Sequence, residues 1–364
     1  MWWPGNLQPK ILIDPYSSLM PIHLIGLGLG TTEYLTLGAL EAAERMDELL
    51  LDTYTSWIHP DLMEYLEERF GENLVKADRR MLEEGIEELV ERAEEKEIGI
   101  LVPGDPLIAT THISIVLEAK RRGVPAYLTY GVSIISASAS ASGLQAYKFG
   151  RITTIPRDGV GVETCYRVVA ENLEKGLHSL ILLDTADGGL RIPDALKMLM
   201  KVEDEFGYGI FNRESLVICL ARIGSSKELR WAGRVSDALK LDYPPPPHLI
   251  IVPGELHFAE AEALKEILGA DEDLIESYRP PRYERDRVRS YILKVERVLE
   301  EIRIRVGLEK VVDVIEIVKS YLEDSKKFLE SGELFNAVAA ISYAEGLLDS
   351  LRNVGYVDFE WPRT

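Results

Sequence analysis

Short apolar runs alternate with helix-like segments through the first 130 residues, and this alternation restricts the fold more than any other feature. The runs Ile22–Ile25, Glu48–Leu51, Ile98–Val102 and Ala126–Thr129 have the length and composition of strands. Segments with an apolar face at helical spacing, such as 60–70 and 81–96, separate them and are predicted to be helices. Strands that alternate with helices over short connections form a parallel sheet with helices on both faces. The sequence therefore predicts an α/β domain over residues 20–131.

The tripeptide Gly104-Asp105-Pro106 lies one residue past the apolar run Ile98–Val102. Glycine permits unusual backbone angles and proline stiffens a turn, so the pair fixes one carboxylate just past the strand. Open α/β folds bind ligands at the carboxyl ends of their strands, which favours Asp105 as a ligand-binding group. An Asp in this position also caps helices. Both interpretations remain open from the tripeptide alone.

A second set of strand-like runs follows Tyr130 and predicts a second α/β domain over residues 132–277. Before the first of them, the run 136–143 alternates Ser and Ala and ends in Gly. We expect a helix of small residues there, which would let a ligand or another backbone come close. The four predicted strands are Arg151–Ile155, Ser179–Leu183, Leu216–Ala221 and His248–Val252.

The chain changes character after Arg279-Pro280-Pro281, where strands stop and long amphipathic helices begin. Apolar residues at helical spacing predict helices over 286–306, 311–329 and 334–351, which form a separate all-α module. The predicted organisation is therefore a leader, two α/β domains, a linker and the module, with bounds 1–19, 20–131, 132–277, 278–285 and 286–364.

Charge and cysteine content restrict the environment and the partners. The chain has 61 acidic and 41 basic residues for a net charge of −20, and residues 1–281 carry 45 and 27 of these. A surface this acidic repels phosphate backbones and argues against nucleic acid as a partner.

The two cysteines, Cys165 and Cys219, form neither a disulfide framework nor a metal-binding spacing. We therefore expect no bound metal. No signal peptide or membrane span is predicted, so we expect a cytoplasmic protein. Few Asn and Gln residues are typical of a thermophile.

The glycine-rich turn Gly26-Leu27-Gly28-Leu29-Gly30 after the first strand suggests a dinucleotide site, but its spacing is wrong. A dinucleotide fingerprint that starts at Gly26 needs glycine where Thr31 stands, and one that starts at Gly28 needs it at Glu33. We therefore do not expect a nicotinamide cofactor.

Taken together, an ordered set of motifs resembles the archaeal diphthine synthases, a family in the tetrapyrrole-methylase class of S-adenosylmethionine (SAM) methyltransferases. The resemblance covers about residues 20–277. The motifs are Gly26-x-Gly28-x-Gly30, Tyr54-Thr55-Ser56, Pro103-Gly104-Asp105-Pro106-Leu107-x-Ala109-Thr110-Thr111-His112, Ser133-Ile134, Tyr147-Lys148-Phe149-Gly150, Gly176-Leu177-His178, and Pro247-His248 before Ile251-Val252-Pro253-Gly254.

This resemblance implies the fold, the activity and the partners. The family has two α/β domains with SAM bound in the cleft between them, usually in a homodimer. Its members methylate the amino group of a 3-amino-3-carboxypropyl extension on one histidine of elongation factor 2, and S-adenosylhomocysteine is the other product. The positions that the resemblance assigns to the cofactor are Leu29, Asp105, Ile108, Ser133, Ile134, Leu183, Ile223 and His248. Val132 stands where the family often has proline, a departure that concerns the shape of the acceptor side and not the binding of the cofactor.

We expect Asp105 to act by binding and by its charge, with general base as the second role, because an anion favours a cationic sulfonium. His112 and His178 are expected to be structural, since a histidine beside an apolar strand usually satisfies local hydrogen bonds. His248 is expected to contact the cofactor through its backbone. Tyr54 and Tyr147 are candidates to face the acceptor, but we expect each to pack as a buried aromatic residue.

The C-terminal module resembles an archaeal helical domain of unknown function, through motifs such as Ile341-Ser342-Tyr343-Ala344. Its amphipathic helices suggest a role in docking or in dimer formation. Two alternative functions remain: a methylase of the same fold that acts on a corrin or porphyrin precursor or on ribosomal RNA, and a SAM-binding adaptor without catalysis.

Overall fold

The first sheet is the six-stranded centre of the N-terminal region, in the order β1-β6-β2-β5-β3-β4. All its strands are parallel except β1, which pairs antiparallel with β6. The computed structural model describes residues 10–11, 20–305 and 309–362. The strands are β1 (Lys10–Ile11), β2 (Ile22–Gly26), β3 (Glu48–Asp52), β4 (Leu74–Ala77), β5 (Ile98–Val102) and β6 (Ala126–Thr129).

Helices cover both faces of this sheet, as the strand composition predicts. Leu24, Leu50 and Ile100 pack in the apolar cluster on one face. Their strand neighbours Ile25 and Leu101 pack in the cluster on the other face, because successive strand residues point to opposite sides. The helices are α1 (Leu37–Ala43), α2 (Pro60–Phe70), α3 (Ile86–Arg92) and α4 (Ile113–Arg122).

Two local predictions in this region were wrong. The helix expected over 81–96 is shorter, because Gly85 separates a π-helical turn (Arg80–Glu84) from α3. Strand β4 was not predicted, since only its last residue, Ala77, is fully buried and the strand has no apolar run. Of the expected leader, only Lys10–Ile11 lies within the described residues, and there it forms β1.

The second sheet has five strands in the order β10-β9-β11-β8-β7, and only the pair β7–β8 is parallel. Strand β10 lies at its edge and was not predicted. The strands are β7 (Thr153–Ile155), β8 (Ser179–Leu183), β9 (Leu216–Ala221), β10 (Leu229–Arg234) and β11 (His248–Val252). The helices are α5 (Ile134–Ser142), α6 (Val162–Glu174), α7 (Ile192–Phe206), α8 (Val235–Ala238), α9 (Phe258–Glu266) and α10 (Glu272–Ser277).

The alternating Ser-Ala run forms the helix α5, as predicted. Its hydroxyls bond back to the preceding turn, with Ser138 Oγ donating to the Ile135 carbonyl at 3.0 Å and Ser142 Oγ to the Ala139 carbonyl at 3.1 Å. The side chains are thereby satisfied locally, so a polar sequence can be buried as a helix. The helix ends at Gly143, in the left-handed conformation with φ of 70°.

The helical unit, which begins at Pro280, contains three long helices, as predicted. Val288, Ile292 and Val295 share one buried face of the first helix. That helix ends at Glu301 rather than 306, and a two-residue β pair, Arg303–Ile304 with Val357–Asp358, modifies the all-α prediction. The helices are α11 (Tyr283–Glu301), α12 (Glu309–Ser331) and α13 (Leu334–Asn353). Within the described ranges, no helix has both the length and the apolar character needed to span a bilayer.

Candidate functional site

The ends of β2, β5 and β6 meet in direct backbone contact, and only glycine allows this. A Cβ at Gly131, just after β6, would lie 2.0 Å from the Gly104 carbonyl oxygen, and one at Gly26 would lie 2.5 Å from the Gly131 nitrogen. Gly28 and Gly104 also exchange two backbone hydrogen bonds, of 2.6 and 3.2 Å. The glycine-rich turn therefore serves the close approach of strand ends rather than phosphate binding.

This backbone contact fixes the carboxylate of Asp105. Its Oδ1 accepts a hydrogen bond from the Leu107 amide at 3.1 Å, and Oδ2 accepts one from the Gly131 amide at 3.4 Å. The side chain is 6% exposed. Asp105 caps the following turn and also faces a cavity, so both interpretations of the tripeptide apply.

A cavity of about 250 Å³, here called the main cavity, lies between residues of the two sheets. Asp105 and Gly28 come from the first sheet's strand ends, and Thr154 and Leu182 come from the second sheet. The eight positions that the family resemblance assigns to a cofactor all line this cavity. They are Leu29, Asp105, Ile108, Ser133, Ile134, Leu183, Ile223 and His248.

The main cavity combines apolar walls with two carboxylates. Besides Asp105, it is lined by Asp184, whose Oδ1 accepts from the Ala186 amide at 2.9 Å and whose Oδ2 accepts from the Arg157 amide at 3.1 Å. In the described part of the chain, no cationic side chain pairs with either carboxylate. Such a site suits a ligand that carries positive charge on an otherwise apolar frame.

His248 lines the main cavity, but its imidazole is committed to the protein. The Ile192 amide donates to Nδ1 at 3.2 Å, so Nε2 carries the proton and donates to the Pro244 carbonyl at 2.8 Å. Burial, with smaller contributions from Arg191 and Arg222, lowers the pKa of His248 to about 4. The imidazole is therefore neutral and has no free nitrogen for proton transfer.

His178 and His112 both lie outside the main cavity, and of the two imidazoles only that of His178 forms hydrogen bonds within the described ranges. His178 accepts from the Gly254 amide at 2.9 Å and its Nε2 lies 3.0 Å from Glu260, while His112 Nε2 lies 3.3 Å from Asp52. Both imidazoles are fully buried, and burial lowers the pKa of each. The hydrogen bonds of His178 agree with the structural role expected for it, whereas neither ring nitrogen of His112 has a hydrogen-bond partner among the described residues, so its structural role stays a prediction.

The expectation for the tyrosines was half wrong. Tyr147 is 81% exposed and packs in no core. Tyr54 is half-buried and packs against the first apolar cluster, and burial, with the nearby charges of Asp52 and Glu83, raises its pKa to about 12.

A second cavity of about 660 Å³, here called the arginine cavity, shares part of its lining with the main cavity. Ser56, Trp57, Thr185, Arg222 and Pro247 line both. The arginine cavity also includes Tyr54, Arg79, Asp187 and Pro245.

Sequence analysis missed Arg222, which follows the fully buried strand β9 as Asp105 follows β5. A charged residue directly after an apolar strand was the signal that could have revealed it. Its backbone is strained, with φ of 54°. Within the described residues, the only other non-glycine residues with positive φ, Ala109 and Asp187, also line the two cavities. Such strain collects at ligand sites.

Comparisons with known proteins define the class first. Residues 21–238 match the family described as tetrapyrrole (corrin/porphyrin) methylases, and residues 290–357 match a family described only as a protein of unknown function. The chain belongs to the tetrapyrrole methylase family.

The relatives narrow this assignment to diphthine synthases. The chain is 37% identical to the diphthine synthase of Methanothermobacter thermautotrophicus over 261 residues, which is 70% of this chain and 98% of that protein. It is 38% identical to the diphthine synthase of Methanococcus aeolicus, over 67% of this chain and 96% of that protein. A crystal structure of a diphthine synthase superposes with a TM-score of 0.63 at 32% identity, and covers 71% of this chain and 99% of its own.

Proposed function

We propose that this chain is a SAM-dependent methyltransferase that methylates the amino group of the 3-amino-3-carboxypropyl side chain on a histidine of elongation factor 2, and so forms diphthine. The observation that carries the proposal is the convergence of all eight expected cofactor positions on one cavity. The relatives named diphthine synthase cover the same part of the chain.

The residues present fit SAM. Leu29, Ile134 and Ile223 would pack against its apolar parts, and Asp105 would face its positive charge. When bound, SAM supplies a methyl group on a positively charged sulfur, and the C–S bond breaks as a new N–C bond forms. The apolar walls exclude water, and the alignment of two bound reactants contributes roughly 7–11 kcal/mol to lowering the barrier.

The attacking amine must be neutral, so its proton has to leave. His248 does not accept this proton, because both its ring nitrogens are already hydrogen-bonded. The carboxylates Asp105 and Asp184, or water beside them, are the remaining acceptors in the main cavity. Since backbone amides hold Asp105 in place, we assign it a binding and electrostatic role first.

The proposal also covers the cellular location, the oligomeric state and the domain boundary of the protein. We place it in the cytoplasm, with a homodimer as the working form and a boundary between the two α/β domains at residues 131 and 132. The helical unit would then dock the substrate or strengthen the dimer.

The test is a transfer assay with the full chain, methyl-labelled SAM and archaeal elongation factor 2 that carries the 3-amino-3-carboxypropyl histidine. We expect label on the factor, and mass spectrometry of the modified peptide counts the methyl groups. Elongation factor 2 with an unmodified histidine is the matched control and should stay unlabelled. Label only on a corrinoid or on RNA would support the same-fold alternative, and SAM binding without any transfer would support the adaptor.

A further inference from the structure

Arg222 is a cation without an anionic partner in a strongly acidic chain. It is half-buried, and no carboxylate of the described residues forms an ion pair with it. Most other buried or half-buried cations here have such a partner, for example Lys148 with Glu260. A partly desolvated guanidinium without a carboxylate partner costs free energy in the folded protein, which points to an anionic ligand that binds there.

The protein holds this guanidinium in one orientation. The Arg222 side chain stacks 3.7 Å from the ring centroid of Trp57, and its Nε donates to the Pro245 carbonyl at 2.7 Å. Its backbone amide donates to the Pro247 carbonyl at 3.0 Å. The two terminal nitrogens make no hydrogen bond within the described ranges, so a planar pair of donors is left for a carboxylate.

The two cavities differ in charge. Arg222 lines both, but in the main cavity it faces two carboxylates, Asp105 and Asp184, and this excess of negative charge suits a cationic donor. The arginine cavity is lined by Arg222 and Arg79 against one carboxylate, Asp187. It therefore suits a ligand that carries a carboxylate together with a basic nitrogen.

We propose that Arg222 binds the carboxylate of the acceptor's 3-amino-3-carboxypropyl side chain in the arginine cavity. This inference rests on the function proposed above. Because Arg222 lines both cavities, a carboxylate held there directs the neighbouring amine of the same side chain toward the main cavity. Arg79 is a weaker partner, since its side chain is 68% exposed and already lies 3.4 Å from Glu83.

The test measures donor and acceptor separately in the full chain. For Arg222→Gln, we expect the KM for modified elongation factor 2 to rise roughly 10- to 100-fold, the range for loss of a charged hydrogen bond. We expect kcat to change less than KM, and the Kd for SAM, measured by calorimetry, to stay within about twofold. Arg79→Gln should raise KM by a smaller factor.

Two further variants complete the test, one as a replacement for Arg222→Gln and one as a control. Arg222→Gly suits the positive φ and carries the test if Arg222→Gln does not fold. Arg69→Gln is the matched control: Arg69 also lies over a ring, that of Tyr65, but pairs with Glu44 outside both cavities. It should change neither constant.

The results that would contradict the inference can be told apart by the Kd for SAM, the KM for the factor and the labelling by the wild-type chain. If the Kd for SAM rises by the same factor as KM, Arg222 serves the donor's own carboxylate and the inference is wrong. If neither constant changes, Arg222 binds neither reactant. A wild-type chain that labels no elongation factor 2 removes the proposed function and this inference together, whereas a labelling wild type with an unaffected Arg222 variant removes the inference alone.

Discussion

The two sheets contribute to the main cavity in different ways. The first is parallel, so β2, β5 and β6 end at the same edge and place Asp105 there through backbone contact. The second is mostly antiparallel, so the end of β9 and the start of β11 lie side by side, with Ala221 opposite His248. The first sheet therefore supplies Asp105, held in place by backbone contact, and the second supplies an apolar wall together with Asp184 and Arg222.

This contrast between the sheets predicts where a substitution has the larger effect. On the first sheet, the backbone contact that holds the Asp105 carboxylate depends on a single glycine, Gly131. On the second, Leu182, Leu183 and Ile223 share the wall, so loss of one leaves the others.

Replacement of Gly131 by alanine tests the close approach of the first sheet's strand ends. The new Cβ would lie 2.0 Å from the Gly104 carbonyl oxygen, so the backbone must shift. We expect Gly131→Ala to lower the unfolding free energy of the α/β unit by about 3 kcal/mol, measured by chemical denaturation.

Gly346→Ala is the control for this effect. Gly346 lies within α13 with no atom within 4 Å of an added Cβ. Alanine there should stabilise the helical unit by about 1 kcal/mol, since it is the better helix former. Equal stability of Gly131→Ala and wild type would refute the close approach.

Asp105→Asn removes the first sheet's charge and keeps the shape of the side chain. We expect the affinity for SAM to fall roughly 10-fold or more, because a charged interaction in a water-poor cavity is lost. Calorimetry measures this directly. Asp271→Asn is the matched control, since Asp271 also caps a turn, through the Leu274 amide at 2.9 Å, but lies outside both cavities. Unchanged affinity and unchanged rate for Asp105→Asn would remove it from both proposed roles.

Acid should destabilise both sheets through their buried histidines. Burial is the first cause that lowers the pKa of His23, in β2, and of His248, in β11, to about 4. An unfolded histidine titrates near 6.5, so between pH 6.5 and 4 the unfolded chain binds more protons. Stability is complete above pH 6.5 and decreases as the pH falls, with a slope of up to about 1.4 kcal/mol per pH unit for each such histidine.

Denaturation at several pH values between 6.5 and 4.5 measures this slope. This range avoids Glu260: burial raises its pKa, but hydrogen bonds from Lys148 and others outweigh that and lower it to about 2, so its contribution is lost only below 4.5. We expect His23→Gln to reduce the slope, whereas His59→Asn, at a partly exposed helix cap, should leave it unchanged. A slope that is the same in both variants would contradict the account.

Ile223→Ala tests the second sheet's wall and carries the smallest predicted effect. Ile223 is half-buried and contributes only part of an apolar surface. We expect the affinity for SAM to fall by about fivefold, which corresponds to about 1 kcal/mol of apolar contact. A loss larger than that of Asp105→Asn would reverse the comparison between the two sheets.

The sequence predicted those features that a local pattern encodes. The buried runs β5 and β9, the tripeptide around Asp105 and the Ser-Ala helix α5 all have such a pattern. The edge strands β4 and β10 do not, because an edge strand buries few of its side chains and so lacks an apolar run.

The arginine cavity depends on contacts that no local pattern encodes. Arg222 acquires its orientation from Trp57 and from the prolines 245–247, which are distant from one another in the sequence. The exposure of Tyr147 likewise depends on which neighbours the folded chain places around it. The eight cofactor positions came from family resemblance, and the histidine roles followed from burial beside strands.

The central claim is that the main cavity binds SAM between the charge of one sheet and the apolar wall of the other. The most direct measurement is a crystal structure of the full chain with S-adenosylhomocysteine. We predict the product in contact with Asp105 on one side and Leu183 on the other. No uptake of the compound, or a position away from the Asp105 edge, would contradict the account.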